Sequence, residues 1–256
     1  MINKMEEIVD YLYTKGIDLR YYDQSFIKRR IDNRLRVRRL ENYEEYIKLL
    51  CHDNNEYREL IYSLSINVTE FFRDKDTFYS IGKLPFNTEY IKIWSAGCAT
   101  GEEAYTLAII MEEMSRVKGI RYKIFATDRN NNAIEYAKKG VYDIKLLSNI
   151  SKELLERYFV KYDEAHYKVT DTIKYKIEFN VGDIITSQPS NNFDIIVCRN
   201  VLIYFKQNIR DELLIKFHRL LKEKGYLILG RSEIVTNTSV NLYKCIMPLE
   251  RIYMKI

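Results

Sequence analysis

The residues of this chain that could do chemistry follow short apolar segments, and the first group is a glycine turn. Gly97 and Gly101 bracket the turn in Ser95-Ala-Gly-Cys-Ala-Thr-Gly-Glu-Glu, and the acidic pair Glu102 and Glu103 comes directly after it. Glycine turns between a strand and a helix commonly present backbone N–H groups to a nucleotide. Two carboxylates at the helix start would repel a pyrophosphate, and neither G-x-G-x-x-G nor a G-K-[ST] ending is present.

Two further polar groups follow apolar segments and are expected beside this turn. Asp128 comes after Tyr122–Ala126, and Asn200 comes after Phe193–Cys198. In open α/β sheets, ligands bind beyond the carboxyl ends of the strands. A carboxylate at the second strand end can accept hydrogen bonds from two ribose hydroxyls, and Glu103 could pair with an ammonium. S-adenosylmethionine has a ribose, an ammonium and a sulfonium but no phosphate, so these residues favour a methyltransferase.

Each acidic residue also has a purely structural interpretation. Glu102 and Glu103 could do no more than favour a helix N-terminus, and Asp128 could be the N-cap of the next helix. The methyltransferase interpretation depends on the glycine turn, the strand-end acid and the acidic helix start occurring together.

Strand and helix signals alternate from Pro85 onward, which predicts the α/β sheet that positions these groups. Nearly unbroken apolar strands indicate a parallel sheet covered on both faces. The predicted strands are Tyr90–Ser95, Tyr122–Ala126, Phe193–Cys198 and Tyr226–Leu229, and the predicted helices are Glu102–Met114, Asn132–Lys139 and Gln207–Leu221. The C-terminal sequence predicts two more strands around a turn at Pro248, which would form an antiparallel edge.

The stretch from about 141 to 181 interrupts this alternation and predicts a small antiparallel β insertion. A helix at Lys152–Tyr158 precedes two strand-like segments, His166–Thr170 and Lys174–Phe179, with an Asp-Thr turn between them. Residues 1 to about 80 contain one glycine and no proline and show helical periodicity. The sequence therefore predicts an all-helical domain at 1–80 and a cofactor-binding domain at 81–256.

A strongly basic segment lies within the helical part. Lys28–Arg39 carries seven lysine or arginine residues against one aspartate, whereas the whole chain has a net charge of +5. At helical spacing, Arg30, Arg34 and Arg38 form one row. Such a row could attract an acidic protein, a nucleic acid or an anionic membrane surface, or it could be a solvated face without a partner.

Composition narrows the class of protein. The 256 residues are 46% hydrophobic and 30% charged, which is typical of soluble globular proteins. No apolar run approaches the roughly 20 residues of a membrane helix, and the N-terminus lacks an apolar signal region, so we expect a cytoplasmic protein. Four scattered cysteines without a C-x-x-C pair, and three histidines that form no cluster with them, predict no metal site.

Four long motifs occur in order along the chain. They are SINVTEFFRD (65–74), IWSAGCATGEEAYTLAI (93–109), IFATDRNNNAIEYAKKGVY (124–142) and FDIIVCRNVLIYF (193–205). Together they resemble the chemotaxis receptor methyltransferase (CheR) family over essentially the whole chain. The resemblance implies a class I, Rossmann-like methyltransferase sheet and S-adenosylmethionine as cofactor, with S-adenosylhomocysteine as product. It also implies methyl transfer to glutamate side chains on the cytoplasmic helices of chemoreceptors.

The same resemblance implies roles for individual residues. Those expected to contact the cofactor are Asn67, Thr69, Arg73, Gly97, Glu103, Asp128, Asp183, Asn200, Val201 and Phe217. Arg73 is the expected catalytic residue near the methyl group, because its guanidinium can orient the acceptor carboxylate or bind the methionine carboxylate. Asp183 departs from the asparagine-rich form of the family and could bind the adenine amino group or cap a turn. Phe217 lies in a weakly matching motif.

The resemblance also gives the basic row a partner. Receptor methylation regions are acidic helices, which Arg30, Arg34 and Arg38 could dock. Some family members bind a receptor tail peptide through a glycine-containing loop of the insertion, whereas RYFVKYDEAHYKV (157–169) is short and has no glycine. We therefore expect methylation independent of a tail peptide, and no membrane insertion.

A nucleic-acid methyltransferase is the main alternative, because the chain has a basic segment and many aromatic residues. Amino-methylating enzymes carry an Asn/Asp-Pro-Pro-aromatic turn after the fourth strand, where this chain has CRNVLIYF. There is also no Pro-Cys pair to serve as the nucleophile for carbon methylation. The sequence therefore favours the protein-glutamate methyltransferase and predicts no nucleic-acid partner.

Overall fold

A computed structural model describes residues 4–64, 69–189 and 192–256, and the chain divides into two compact units. The first unit comprises Met1–Ile66 and Tyr204–Arg210, and the second comprises Asn67–Ile203 and Asp211–Ile256. The bounds of these units differ from the domain limits predicted from the sequence, 1–80 and 81–256. Those domain limits stay a prediction.

The first unit is built from helices. In chain order they are α1 (Lys4–Thr14), α2 (Gln24–Arg38), α3 (Tyr43–His52) and α4 (Asn54–Leu64). Side-chain caps begin two of them, because Asp23 accepts a hydrogen bond from Ser25 N–H and Asn42 accepts one from Glu45 N–H. The buried apolar residues of α2, Ile27, Ile31 and Leu35 among them, recur every four residues and place one face of the helix in the core.

The second unit begins with α5 (Lys75–Ile81) and contains a seven-stranded sheet within the described part of the chain. In spatial order its strands are β6 (Ile177–Val181), β2 (Arg121–Asp128), β1 (Tyr90–Ala96), β7 (Phe193–Cys198), β8 (Leu221–Leu229), β10 (Ile252–Lys255) and β9 (Tyr243–Met247). The first five run parallel, whereas β10 pairs antiparallel with β8 and β9. This order confirms the predicted methyltransferase sheet with an antiparallel C-terminal edge.

The connecting helices also lie where the sequence predicts them. They are α6 (Glu102–Lys118) after β1, α7 (Asn131–Lys139) after β2 and α10 (Gln207–Leu220) after β7. Every residue of β7 is buried, as expected for a central strand with apolar side chains on both faces. Because the parallel strands share one direction, the carboxyl ends of β1, β2, β6 and β7 meet at one edge of the sheet.

The β insertion is smaller than predicted, and the expectation that Lys174–Phe179 is one of its strands is wrong. Its three strands, β3 (Val141–Asp143), β4 (Phe159–Lys161) and β5 (His166–Val169), pair antiparallel in the order β3-β5-β4, and α8 (Lys152–Tyr158) precedes β4. The segment after α9 (Asp171–Lys174) instead forms β6, parallel to β2. Ile177 and Phe179 are buried there. Burying these two side chains on the main sheet is therefore more favourable than forming a hairpin with β5.

Candidate cofactor site

The turn after β1 requires glycine at two positions. Gly97 and Gly101 have left-handed φ angles of 88° and 97°, which residues with a Cβ rarely adopt. A Cβ on Gly97 would lie 2.7 Å from Cγ2 of Val201, and one on Gly101 would lie 2.7 Å from Cβ of Ala137. The turn is therefore packed against the segment after β7 and against α7, with no space for a side chain at either glycine.

Asp128 ends β2 and binds the backbone of the glycine turn. Its Oδ2 accepts a hydrogen bond from Ala99 N–H and its Oδ1 accepts one from Asn130 N–H, both at 2.9 Å. Burial raises the pKa of Asp128, and these two hydrogen bonds oppose the rise. The N-cap of α7 is Asn130, so capping is not the role of Asp128. Each of its oxygens has a second lone pair for a further hydrogen bond, which suits a ribose hydroxyl.

Glu103 is a buried carboxylate held from two sides. It is the second residue of α6 and 8% exposed. Ser95 Oγ donates to its Oε1 at 2.8 Å, and Arg199 Nη1 lies 3.6 Å from its Oε2. Burial raises the pKa of Glu103, while Arg199, Ser95 and Arg73 act in the opposite direction. The group therefore lies at the end of β1, next to the guanidinium of Arg199 and within electrostatic range of Arg73.

Glu102 is buried as well, although a carboxylate at a helix start could easily face water. It is 2% exposed, and Thr100 Oγ1 donates to its Oε2 at 2.7 Å. Burial raises the pKa of Glu102 to about 7. At neutral pH the side chain is therefore divided between its ionised and neutral forms.

Arg73 is brought to this site by the segment that precedes α5. The backbone N–H of Phe72 donates to Thr106 Oγ1 at 3.1 Å, and the Phe72 side chain is buried, which anchors the segment on α6. The charge of Arg73 lowers the pKa of Glu103, so the two side chains lie within electrostatic range of each other. The structure thus brings together Arg73 and Glu103, which are 30 residues apart in the sequence.

Arg199 is a residue of this site to which the motifs assign no role. Its side chain is 2% exposed, and its Nη2 donates to Asp74 Oδ2 at 2.5 Å and to the backbone carbonyl of Arg73 at 3.1 Å. Its guanidinium also lies 5.0 Å from the ring centroid of Phe78, a cation–π contact. Because Arg199 faces Glu103 as well, one buried cation joins the Arg73 segment, the end of β7 and the start of α6.

Asn200 and Val201 form the turn directly after β7. Asn200 has a left-handed φ of 57°, and the backbone N–H groups of both residues donate to the carboxylate of Glu233 at 2.9 Å. The side chain of Val201 lies against Gly97. The structure therefore places these two predicted contacts beside the glycine turn, and Glu233 is a further residue that the motifs do not indicate.

Asp183 follows β6 and lies near Asp128. Its Oδ1 accepts a hydrogen bond from Ile185 N–H at 2.8 Å, and its charge contributes to the raised pKa of Asp128. Lys216 of α10 donates to the backbone carbonyls of Ile184 and Ile185, at 2.8 and 3.0 Å, and so fixes the loop that begins at Asp183. Both predicted roles of Asp183, a turn cap and a contact to the adenine, remain compatible with this position.

The other predicted cofactor contacts lie in different surroundings. Phe217 is fully buried and packs edge-to-face against Trp94, with 5.7 Å between the ring centroids, so its side chain belongs to the core. Thr69 is partly exposed. Asn67 lies outside the described residues.

Comparison with known proteins identifies the family. A family model described as "CheR methyltransferase, SAM binding domain" matches residues 67–249, and one described as "CheR methyltransferase, all-alpha domain" matches residues 3–65. The chain belongs to the CheR methyltransferase family. The resemblance inferred from the four motifs is confirmed.

Similar proteins from several bacteria match most of the chain. The chemotaxis protein methyltransferase of Borreliella burgdorferi is 32% identical over 250 residues, which are 91% of this chain and 88% of the relative. That of Salmonella typhimurium is 32% identical over 231 residues, which are 87% of this chain and 80% of the relative. An uncharacterized 104.1 kDa protein of Rhodobacter capsulatus is 33% identical over 237 residues, and this chain spans 25% of its length.

S-adenosylmethionine is the cofactor of the CheR SAM binding domain, and the residues of this chain fit it. The glycine turn lies at the carboxyl end of β1, and Val201 and Ala137 pack closely against its two glycines and fix its backbone. Glu103 and Asp128 are carboxylates beside that turn, and they suit an ammonium and a ribose but would repel a phosphate. These two carboxylates therefore match a cofactor that carries positive charge.

The arginine row of the CheR all-alpha domain is engaged within its own unit. Arg34 is 12% exposed and donates to the buried carboxylate of Glu56 through Nε at 2.9 Å and Nη2 at 2.6 Å. Arg38 donates to Asp53 at 2.9 Å, and Arg30 is partly buried. These contacts join α2 to α4 and to the residue that precedes it, so Arg34 and Arg38 have a structural role whether or not they also dock a partner.

Other kinds of site are not evident in the described part of the chain. Within residues 4–64, 69–189 and 192–256, no three His, Cys, Asp or Glu side chains are grouped to hold a metal ion. The same ranges contain no helix that is both long and apolar enough to span a membrane. A cavity of about 890 Å³ lies between α5, α6 and α8, but its lining residues, such as Ile110, Met114 and Leu154, are not among the predicted site residues.

Proposed function

We propose that this chain transfers the methyl group of S-adenosylmethionine to glutamate side chains on the cytoplasmic helices of chemoreceptors, forming glutamate methyl esters. The observation that carries the proposal is the match of both CheR domains in one chain, with 32% identity to chemotaxis protein methyltransferases of two bacteria. That the acceptor is a glutamate side chain is inferred from the resemblance of the four motifs to the CheR family. Such an enzyme would work in the cytoplasm, where these receptor helices lie.

The reaction needs alignment rather than a general base. A glutamate side chain has a reference pKa of about 4.3, so the acceptor is already ionised at neutral pH. When bound, S-adenosylmethionine supplies a methyl group activated by its sulfonium. The chain must hold the acceptor carboxylate in line with that group and keep water out.

Four residues divide this task. We assign Asp128 to the ribose hydroxyls and Glu103 to the ammonium. Arg73 orients the acceptor carboxylate or holds the methionine carboxylate, for which its planar fork is suited. Arg199 holds the Arg73 segment in place through Asp74 and the Arg73 carbonyl. The other proposed cofactor contacts are Asn67, Thr69, Gly97, Asp183, Asn200 and Val201.

Docking of an acidic receptor helix is assigned to the exposed face of α2. Arg34 and Arg38 are engaged by acids of their own unit, whereas Arg29 and Arg36 are exposed and lie two turns apart on one face. Positive charge on this face would steer an acidic helix into place. The loop 162–165 between β4 and β5 contains no glycine, so we propose that receptors lacking a tail peptide are also substrates.

The test is methyl transfer from radiolabelled S-adenosylmethionine to a receptor cytoplasmic fragment, with RNA as the competing acceptor. We expect label on the fragment that mild base releases, as from a methyl ester, and no label once its methylated glutamates are replaced by alanine. Base-stable label on RNA would overturn the proposal.

Arg73→Ala should abolish turnover with an unchanged circular dichroism spectrum. The matched control is Arg121→Ala, at the exposed start of β2.

A further inference from the structure

Glu233 is a buried carboxylate that binds five backbone N–H groups. Its residue is 4% exposed. Oε2 accepts from Gly230 N–H at 2.7 Å and Asn200 N–H at 2.9 Å. Oε1 accepts from Val201, Leu202 and Ile203 N–H at 2.9, 2.8 and 3.3 Å. Four consecutive N–H groups after β7 therefore converge on one side chain from a distant part of the chain.

The turn after β7 needs such an acceptor. Asn200 adopts a left-handed φ of 57°, a conformation that asparagine tolerates better than most residues with a Cβ. Four consecutive N–H groups that point the same way have no partner in a strand, and a buried N–H without an acceptor costs about 1–3 kcal/mol. The carboxylate of Glu233 satisfies all four, so it stabilises this backbone conformation over the alternatives.

The same turn lies against the glycine turn of the cofactor site. The side chain of Val201 occupies the space in which a Cβ of Gly97 would lie, 2.7 Å from its Cγ2. On the other side, a Cβ on Gly230 would lie 2.7 Å from Asn200 N and 2.8 Å from Glu233 Oε2. The position of Asn200 and Val201 is therefore set by contacts with Glu233 and Gly230, and the tight packing leaves little room for adjustment.

We infer that Glu233 is a positioning residue for cofactor binding. Its carboxylate holds the backbone from which Asn200 and Val201 reach the cofactor, and it does not itself touch the reacting groups. The inference rests on the proposed function only in that these two residues contact the cofactor. Without the carboxylate, the turn relaxes and the contacts of both residues are lost together.

The test measures S-adenosylhomocysteine binding to the full chain by calorimetry, which needs no receptor. Glu233→Gln replaces one oxygen with an N–H₂ donor that faces two or three backbone donors. We expect its dissociation constant to rise at least tenfold, with a raised KM for S-adenosylmethionine and a smaller change in kcat. Gly230→Ala keeps the carboxylate but displaces the turn, and it should weaken binding in the same way.

Glu56→Gln provides the matched control, because Glu56 is another buried glutamate, 1% exposed, in the first unit. It should lower the melting temperature and leave S-adenosylhomocysteine affinity within twofold of the wild type.

The inference is overturned if folded Glu233→Gln binds within twofold of the wild type, or if Glu56→Gln weakens binding equally. If Glu233→Gln does not fold, Gly230→Ala decides by the same criterion, and failure of both to fold would make Glu233 a residue of global stability only. A wild-type chain that binds S-adenosylhomocysteine but methylates no receptor would count against the proposed acceptor alone.

Discussion

Glu102 is a buried carboxyl group whose ionisation opposes folding. Burial raises its pKa from 4.5 to about 7, so the folded chain binds this proton more tightly than the unfolded chain does. Between these two pKa values the unfolded state therefore binds fewer protons than the folded state does. As a result, the free energy of unfolding falls as the pH rises through that range. Above about pH 7 the folded state carries the full cost of a buried negative charge.

Glu102→Gln is therefore expected to be more stable than the wild type at alkaline pH. The rise from 4.5 to about 7 corresponds to roughly 3 kcal/mol, which should be present at pH 8.5, fall to about 1 kcal/mol at pH 5 and vanish below about pH 4. Urea unfolding at several pH values, without cofactor, measures the difference between the two proteins. Glu135→Gln, at a side chain that is 56% exposed, should show a difference that does not depend on pH. A constant gap for Glu102→Gln across the range would contradict the raised pKa.

The sequence predicts where a candidate residue lies well when a strand end determines its position. Gly97, Glu103 and Asp128 follow apolar strands, so the topology of the sheet alone brings them together. Glu233 is different, because its partners are backbone N–H groups 30 to 33 residues earlier in the chain. Such groups occur in almost every residue and leave no pattern in the sequence. The sequence does not indicate the role of Arg199 for a related reason, since its ion-pair partner Asp74 is 125 residues away.

At the scale of the element, the arginine row of α2 shows what helical spacing can and cannot predict. The spacing of Arg30, Arg34 and Arg38 puts them on one face but does not say whether the face points to solvent. Glu56 decides this, since its carboxylate is buried on α4 and binds both Arg34 and Tyr46. Removing one partner of such a buried pair is costly, so Arg34 is expected to be needed for folding.

We expect the exposed face of α2 to affect receptor methylation without affecting the cofactor. Arg29→Glu with Arg36→Glu should lower kcat/KM for a receptor fragment by about tenfold at low salt, and by less at high salt, because exposed charges are screened. S-adenosylhomocysteine affinity should stay within twofold of the wild type. Lys48→Glu with Arg58→Glu makes the same change of charge on exposed positions of α3 and α4 and serves as the control. Equal loss in both variants would assign the effect to net charge rather than to α2.

The strands show a similar limit of prediction. Central strands such as β1 and β7 carry apolar residues on both faces, and the sequence predicts them with accurate bounds. β6 lies at the edge of the sheet, and its buried residues alternate with exposed ones. That alternation is typical of an antiparallel strand with one wet face, which is why the sequence favours the insertion over the main sheet for this segment.

At the scale of the whole molecule, the first unit is not continuous in sequence. Tyr204–Arg210 belongs to it, and this segment comes directly after the turn that carries Asn200 and Val201. Phe205 is 2% exposed, and its ring centroid lies 4.7 Å from that of Tyr22. Two backbone hydrogen bonds, Asp23 N–H to the Tyr204 carbonyl and Lys206 N–H to the Tyr21 carbonyl, complete the attachment. A cut between the two family domains would therefore remove part of the core of the first unit.

Phe205→Ala should consequently destabilise the helices of the first unit although residue 205 lies far from them in sequence. Loss of a buried phenylalanine costs about 3–5 kcal/mol, so amide hydrogen exchange should become faster in peptides from α1 to α4. Peptides from β1 and β2 should keep the protection they have in the wild type. Phe159→Ala, at a buried phenylalanine of the insertion, should leave α1 to α4 unchanged. Equally faster amide exchange in α1 to α4 and in β1 and β2 would contradict this prediction. It would show that the segment Tyr204–Arg210 stabilises the whole chain, because a change confined to one unit cannot expose the amides of the other.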